Sequence, residues 1–196
     1  PVRGRTATVV VTPGIPGIPG SVAAPAEQID ADLYVIGPEV PLVDGLADRL
    51  RARGALVGGP GADGARLEGS KVHAKALMAA AGIPTAEHAV LTTREQALDA
   101  LGSASYPTVL KADGLAAGKG VILCEDEAQA RDAVEAFFVE RRFGTTEVVL
   151  EEFLDGEELS LLALCDGTNV VPLAPAQDYK RIFDGDRGPN TGGMGA

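Results

Sequence analysis

The sequence predicts an α/β fold in two parts, a short parallel βα unit followed by a small α+β domain. The apolar run 33–36 ends at a Gly-Pro pair, and leucines then recur at positions 42, 46 and 50, which is the order strand, loop, helix. From residue 87 onward the order becomes strand, helix, strand, strand, helix, strand. A glycine-rich loop joins the two middle strands and is the main candidate for a ligand site.

The composition excludes several classes of partner. A net charge of -11 on 196 residues argues against broad binding of nucleic acid or an anionic membrane, since both require a basic surface. No apolar run reaches the length of a membrane span, and the first residues lack the order of a signal peptide. Cys124 and Cys165 lie in apolar, strand-like runs, which favours buried thiols in a reducing compartment. We therefore expect a cytoplasmic chain in which any phosphate ligand is held by a local basic pocket. The sequence does not decide between a monomer and a homodimer.

The first 65 residues are expected to form one α/β domain. The β-branched run 8–12 predicts a buried strand, residues 13–20 carry periodic glycines and predict a loop, and residues 42–53 predict a helix. A breaker cluster at 58–61 predicts the end of this domain. Ligands of parallel sheets bind where strands end, which makes candidates of the residues after the strand at 33–36, although a capped turn explains them equally well: Gly37, Pro38 and Glu39.

Helical patterns occupy three further segments. Residues 71–81 predict a helix that ends before a glycine. Lys75 lies inside it, where a lysine is most often a solvated surface charge. Residues 93–101 and 125–138 predict the two helices of the α+β domain, and the second of these places two aromatic side chains in the core, Phe137 and Phe138.

Residues 109–123 predict a hairpin whose loop binds phosphate. Two apolar runs flank the loop, and glycines at 114, 118 and 120 let the backbone approach a ligand and direct amide groups at anionic oxygens. Lys111 and Lys119 stand at its two ends. The spacing is not that of a Walker loop, and the segment after it has a strand pattern rather than a helical one. A plain glycine hairpin with solvated lysines is the alternative interpretation of these residues alone.

Acidic residues and a glycine-dense tail follow the last strand of the α+β domain. The strand at 148–152 ends in Glu151 and Glu152, and two more carboxylates come at positions 157 and 158. Such a segment is either a solvated acidic bend or one wall of a nucleotide site. Residues 159–173 predict a second hairpin that turns at Asp166-Gly167, and residues 177–195 predict a functional loop.

Five segments, in order from about residue 32 to 196, resemble motifs of the phosphoribosylamine–glycine ligase family of the ATP-grasp superfamily. They are Gly37-Pro-Glu-Val-Pro-Leu-Val43, Leu67-Glu-Gly-Ser-Lys71, Lys111-Ala-Asp-Gly-Leu-Ala-Ala-Gly-Lys-Gly120, Glu151-Glu-Phe-Leu-Asp-Gly-Glu157 and Gly188-Pro-Asn-Thr-Gly-Gly-Met-Gly195. The resemblance implies an incomplete N-terminal α/β domain at 1–65, an ATP-grasp core at 66–90 and 154–196, and a lid subdomain at 91–153.

The resemblance also implies a step of purine synthesis, in which ATP, glycine and 5-phosphoribosylamine give glycinamide ribonucleotide, ADP and phosphate through a glycyl phosphate. The residues it implies for ATP are Lys75 and Lys111 on the phosphates, Gly114, Gly118, Lys119 and Gly120 in the lid loop, Glu151, Glu152, Phe153 and Leu154 at the adenine, and Glu158 at the ribose. Those it implies for catalysis are Lys111, Asp178 and Lys180. Those it implies for phosphoribosylamine are Gly37, Pro38, Glu39, Pro189, Asn190, Thr191, Gly192 and Gly193.

The chain also departs from the family pattern. The opening strand and glycine-rich loop are not found before Thr8, and residues 14–31 are too few for the helix and strand that belong there. The ligands of Mg²⁺ or Mn²⁺ are expected beyond residue 196, so no metal ligand is predicted within the chain. The alternatives are another ATP-grasp carboxylate–amine ligase and a nucleotide-binding fragment without catalysis, and the segment 188–195 favours the glycine ligase over the former.

Overall fold

A computed structural model of the chain describes residues 8–14, 17–115, 120–144, 147–177, 179, 181–185 and 187–190. The chain divides into two units, residues 1–65 and residues 66–196. Within the described ranges, none of the helices combines the length and the apolar character needed to cross a membrane.

The first unit is built on a parallel pair of short strands, which agrees with the predicted parallel βα unit, although the sequence analysis does not predict the second strand. β1 (Tyr34–Val35) lies beside β2 (Val57–Gly58), and the helices α1 (Glu39–Val43) and α2 (Leu46–Ala52) connect them. The core of this unit consists of small and branched apolar side chains, with Leu42, Ala47 and Ala65 buried and Ile36, Val43 and Val57 packed against them.

Two predictions for the first unit are wrong in detail. The helix predicted at 42–53 is two helices, because Gly45 between them has a φ of 77°, a left-handed conformation that glycine adopts without strain. The strand predicted at 8–12 is not formed: Val9 is 70% exposed, and Val11 makes only an isolated bridge to Ser21. A β-branched run therefore does not become a strand where no neighbouring strand pairs with it.

The second unit carries a four-stranded sheet with the predicted split βαβ arrangement. Its strands are β3 (His88–Leu91), β4 (Thr108–Ala112), β5 (Val121–Cys124) and β6 (Val148–Glu152), and their spatial order is β3-β6-β4-β5 with antiparallel neighbours throughout. Helix α5 (Arg94–Leu101) connects β3 to β4. Helix α6 (Glu127–Val134), continued by one π-helical turn (Glu135–Val139), connects β5 to β6. The β4–β5 hairpin is the one that carries the glycine loop.

Polar caps in the sequence set where the helices of the second unit begin. Helix α3 (Ala62–Gly69) spans the boundary between the units, and α4 (Lys71–Ala81) has the bounds that the sequence predicts. The hydroxyls of Ser70 and Thr93 and the carboxylate of Asp126 each accept an amide N–H from the first turn of α4, α5 and α6, respectively. These bonds satisfy amide groups that have no partner within the helix.

The core of the second unit lies between one face of the sheet and helices α5 and α6. Phe137 is fully buried there, with its ring centroid 4.7 Å from that of Phe143, and Phe138 packs against the same cluster, which confirms the predicted core role of this aromatic pair. Cys124 is also buried, and burial raises the pKa of its thiol to about 11. The strand pattern thus predicts this cysteine correctly.

The remaining described strands form short antiparallel pairs: β7 (Leu159–Ser160) with β10 (Ala176–Gln177), β8 (Ala163–Cys165) with β9 (Val170–Pro172), and β11 (Arg181–Phe183) with β12 (Arg187–Asn190). The predicted hairpin at Asp166-Gly167 is the β8–β9 pair. Cys165 in β8 is exposed, so its predicted burial is wrong. A two-stranded ribbon buries a side chain only where another element packs on it.

Replacing Phe137 with alanine is expected to lower the free energy of unfolding by about 3–5 kcal/mol, because a buried aromatic ring would leave a cavity in the main core. The matched control is Phe183→Ala, since Phe183 is 63% exposed, and it should change the free energy by less than about 1 kcal/mol. Urea unfolding followed by circular dichroism measures both values. Equal losses would contradict the assignment of the core.

Candidate functional site

The centre of the candidate site is one buried carboxylate that contacts two ammonium groups. Oε1 of Glu151 lies 3.2 Å from Nζ of Lys75, and Oε2 lies 2.6 Å from Nζ of Lys111. The Glu151 side chain is 6% exposed, the Lys75 side chain 10% and the Lys111 side chain 29%. Two positive charges therefore converge on one buried anion.

The sheet register explains why these side chains meet. Lys111 is paired with Val149 across β4 and β6, and Glu151 is two residues further along β6, so both side chains stand on the same face of the sheet. The alternate residues of these strands, such as Leu110 and Leu150, face the core beneath α5 and α6. Helix α4 brings Lys75 to the same face as Glu151. A further bond fixes β6 here, because Oγ1 of Thr108 donates to the backbone oxygen of Glu151 at 2.8 Å.

The two lysines differ in what else they contact. Nζ of Lys75 also donates to Oγ1 of Thr85 at 2.7 Å and to the backbone oxygen of Ala86 at 3.3 Å, so it has three oxygen partners in the protein. The interpretation of Lys75 as a solvated surface charge is therefore wrong. Among the described residues, Lys111 contacts only Glu151 through its ammonium group and is the more exposed of the two. Lys111 can thus offer donors to an incoming anion.

The glycine loop begins directly beside this pair. Gly114 has a φ of 91°, and its backbone oxygen accepts a hydrogen bond from Nζ of Lys71 at 3.0 Å. Burial lowers the pKa of Lys71, and the nearby carboxylate of Asp113 opposes that shift. The far end of the loop is held by a bond from the backbone N–H of Ala112 to the oxygen of Gly120 at 2.7 Å. The predicted loop residues Gly118 and Lys119 lie outside the described residues.

The other predicted nucleotide residues follow along the end of β6. The carboxylate of Glu152 accepts the backbone N–H of Glu87 at 2.9 Å, which ties β6 to the start of β3 rather than to a lysine. Phe153 and Leu154 come next and are exposed apolar side chains. Glu158 is also exposed. These three residues follow β6 in the sequence, and their place beside a nucleotide stays a prediction.

The remaining predicted residues belong to other elements of the chain or lie outside the described residues. Gly37 and Pro38 follow β1 in the first unit, and Glu39 is the first residue of α1. Pro189 and Asn190 belong to β12, where the backbone of Asn190 pairs with Arg181. The other predicted residues lie outside the described part of the chain: Asp178, Lys180, Thr191, Gly192 and Gly193.

The described residues do not form a metal site of their own. No group of three or more histidine, cysteine or acidic side chains is arranged to hold a metal ion within the described ranges. The acidic groups nearest the candidate site are engaged with lysines or with backbone amides, as Glu151 and Glu152 show. The metal ligands predicted beyond residue 196 stay a prediction.

Sequence reasoning missed the residues that support the two lysines. Thr85 and the backbone of Ala86 hold Lys75, but neither stands in a recognisable pattern. Asp113 and Ser70 hold the start of the glycine loop, and both lie within the motifs that the resemblance is based on. A serine just before a helical pattern is a cap signal, so Ser70 could have been found from the sequence.

Replacing Glu151 with glutamine is expected to lower the free energy of unfolding by about 3 kcal/mol, because Lys75 would then be a buried charge without a counter-ion. The matched control is Glu127→Gln, since the exposed ion pair of Glu127 with Arg131 at 2.7 Å should contribute less than about 1 kcal/mol. Urea unfolding at neutral pH measures both. A loss at position 151 no larger than that at position 127 would contradict the buried arrangement.

Two family models together match nearly the whole chain. Residues 69–196 match the model of the phosphoribosylglycinamide synthetase ATP-grasp (A) domain, and residues 5–68 match the N domain of the same synthetase. The phosphoribosylamine–glycine ligase of Leifsonia xyli is 52% identical over 194 residues, which cover 98% of this chain and 45% of that protein. The corresponding ligase of Clostridium acetobutylicum is 47% identical, over 87% of this chain and 42% of its own length.

A solved structure shows the same relationship. The crystal structure of phosphoribosylamine–glycine ligase from Thermotoga maritima superposes with a TM-score of 0.71 at 38% identity, over 84% of this chain and 41% of that one. The chain thus spans less than half the length of these relatives. Two domain models that together cover nearly every residue, and relatives near 50% identity, are sufficient to assign the family. The chain belongs to the phosphoribosylamine–glycine ligase family of the ATP-grasp superfamily.

Proposed function

We propose that this chain forms the ATP-binding part of a ligase that joins glycine to 5-phosphoribosylamine. In the proposed reaction a carboxylate oxygen of glycine attacks the γ-phosphorus of ATP, which releases ADP and forms glycyl phosphate. The amine of phosphoribosylamine then attacks the glycyl carbonyl carbon, loses a proton and displaces phosphate, giving glycinamide ribonucleotide. We place this reaction in the cytoplasm, where ATP is available, as a step of purine synthesis.

The observation that carries the proposal is the pair of lysines on the buried carboxylate of Glu151, next to the glycine loop. Transfer of a phosphoryl group to a carboxylate brings anions together, and their repulsion is offset by positive charge held in place before the substrate arrives. Lys111 is the lysine with exposed donors, so we assign it to the phosphates. Lys75 is held more tightly and would keep the local potential positive.

Further assignments follow from position along the chain. We propose that the glycine loop from Gly114 to Gly120 covers the phosphates and keeps water from the acyl phosphate. Phe153 and Leu154 are proposed to line the adenine, and Glu158 to accept hydrogen bonds from the ribose hydroxyls. Gly37 to Glu39, Asp178, Lys180 and the segment 189–193 are proposed to bind phosphoribosylamine, on the family resemblance alone.

The ATP-grasp fold implies the use of ATP and a divalent metal ion. We propose that Mg²⁺ or Mn²⁺ accompanies the nucleotide, with ligands outside the described residues. The proposed partners are small molecules, since a net charge of -11 disfavours nucleic acid and anionic membranes. The net charge is compatible with both a monomer and a homodimer.

A second candidate function is nucleotide binding without catalysis. The lysine pair on Glu151 supports it as well, because such a pair suits phosphate binding whether or not a reaction follows. Incubation of the chain with ATP, Mg²⁺, glycine and phosphoribosylamine separates the two candidates. Release of ADP that requires glycine supports the ligase, ATP binding without turnover supports the second candidate, and release that requires a different carboxylic acid contradicts the proposed substrate.

Replacing Lys111 with alanine is expected to raise the dissociation constant of ATP by about 10-fold to 100-fold, because a charged donor to the phosphates is lost. Isothermal titration calorimetry with ATP and Mg²⁺ measures this value. The matched control is Arg131→Ala, which removes the same charge from an exposed position on α6 and should leave the constant within about twofold. Unchanged affinity in Lys111→Ala would contradict the assignment of the phosphate site.

A further inference from the structure

The start of the glycine loop is tied to the first turn of helix α4 by two consecutive residues. Oγ of Ser70 lies 3.2 Å and 3.1 Å from the two carboxylate oxygens of Asp113, and the backbone N–H of Val72 donates to Oδ1 of Asp113 at 3.0 Å. The next residue, Gly114, accepts the bond from Nζ of Lys71. Four polar contacts thus join one end of the loop to one end of the helix.

These contacts complete the cap of α4 with a group from elsewhere in the chain. Oγ of Ser70 accepts the N–H of His73 at 3.1 Å while its own hydroxyl donates to Asp113. Asp113 accepts the N–H of Val72, so the two side chains together satisfy two amides of the first turn. A carboxylate is also favoured here by the positive end of the helix dipole. The cap therefore depends on Asp113, which lies 41 residues away from Val72.

The backbone of Asp113 is fixed as well. Its N–H donates to the backbone oxygen of Glu147 at 2.9 Å, just before β6 begins. Asp113 thus contacts three elements: it follows β4, bonds to the approach of β6 and caps α4. Lys111 lies two residues before it, and Lys75 lies one helical turn beyond Lys71. Asp113 therefore helps to fix the distance between the two lysines that share Glu151, because it joins the end of β4 to the first turn of α4.

We propose that Asp113 is a positioning residue for nucleotide binding, which fixes the start of the glycine loop to the helix that carries Lys75. Asp113 acts through the lysines and the loop and does not touch the nucleotide itself. This inference rests on the proposed function, since it presupposes that Lys111 binds ATP. A purely structural role as a helix cap makes a different prediction, because any lost cap destabilises its helix without a specific effect on ATP.

The test compares Asp113→Ala with a matched variant, Asp126→Ala. Asp126 caps α6 by accepting the N–H of Gln129 at 2.9 Å. Both variants therefore remove a carboxylate that accepts an amide N–H from the first turn of a helix in the second unit. We expect both to lower the melting temperature by a few degrees. Only Asp113→Ala should raise the dissociation constant of ATP with Mg²⁺, by about tenfold, while Asp126→Ala stays within about twofold. Equal effects of the two variants on ATP affinity would overturn the inference.

A milder variant and a second measurement keep the test decisive if Asp113→Ala fails to fold. Ser70→Ala removes the hydroxyl contact and leaves the bond from Val72 in place, and it should weaken ATP binding about threefold. The second measurement is the rate of trypsin cleavage after Lys119 in the loop, with and without ATP. We expect ATP to slow this cleavage in the wild-type chain and in Asp126→Ala, and to slow it less in Asp113→Ala and Ser70→Ala. Equal protection in all four chains would overturn the inference.

The proposed function and the positioning role of Asp113 are contradicted by different experimental outcomes. If the wild-type chain does not bind ATP, or if Lys111→Ala binds as well as wild type, the proposed function fails, and this inference fails with it. If Lys111→Ala weakens binding while both Asp113→Ala and Ser70→Ala bind like wild type, only the positioning role of Asp113 is overturned. Weakened binding in all three, with Asp126→Ala unchanged, supports both.

Discussion

The structure of the second unit depends on the buried carboxylate of Glu151, which two ammonium groups share. Taking charges out of water costs free energy, and an unpaired buried charge costs more than a paired one. Lys75 and Lys111 can therefore be held on this face of the sheet only while Glu151 lies between them. Because the three residues come from α4, β4 and β6, this requirement also fixes those elements relative to each other.

The same arrangement leaves a net positive charge at the start of the glycine loop. One carboxylate cannot neutralise two ammonium groups, and Lys111 is exposed enough to reach a ligand. We propose that the phosphates of a nucleotide supply the missing negative charge, since glycines at the loop let the backbone come close to such groups. Asp113 and Ser70 keep this loop at the helix that carries Lys75, so the preorganisation extends from the ion pairs to the backbone.

The sequence predicts features that depend on neighbouring residues better than features that depend on residues distant along the chain. The bounds of α4 and the β4–β5 hairpin follow from local periodicity and caps, and they are confirmed. The split at Gly45 and the exposure of Cys165 depend on backbone conformation and on what packs nearby, which periodicity does not contain. The burial of Lys75 belongs to the same class, since its partners Thr85 and Glu151 are 10 and 76 positions away. The resemblance named both lysines, but their common partner required the structure.

The most direct test of the central claim uses the five lysines of the chain, at positions 71, 75, 111, 119 and 180. The ¹⁵N resonances of their ammonium groups, assigned through single Lys→Arg variants, can be followed by NMR while ATP with Mg²⁺ is added. We predict that the resonances of Lys75 and Lys111 shift together and saturate at the dissociation constant of ATP. Saturable binding that leaves both resonances in place would contradict the claim that this pair is the anion-binding centre.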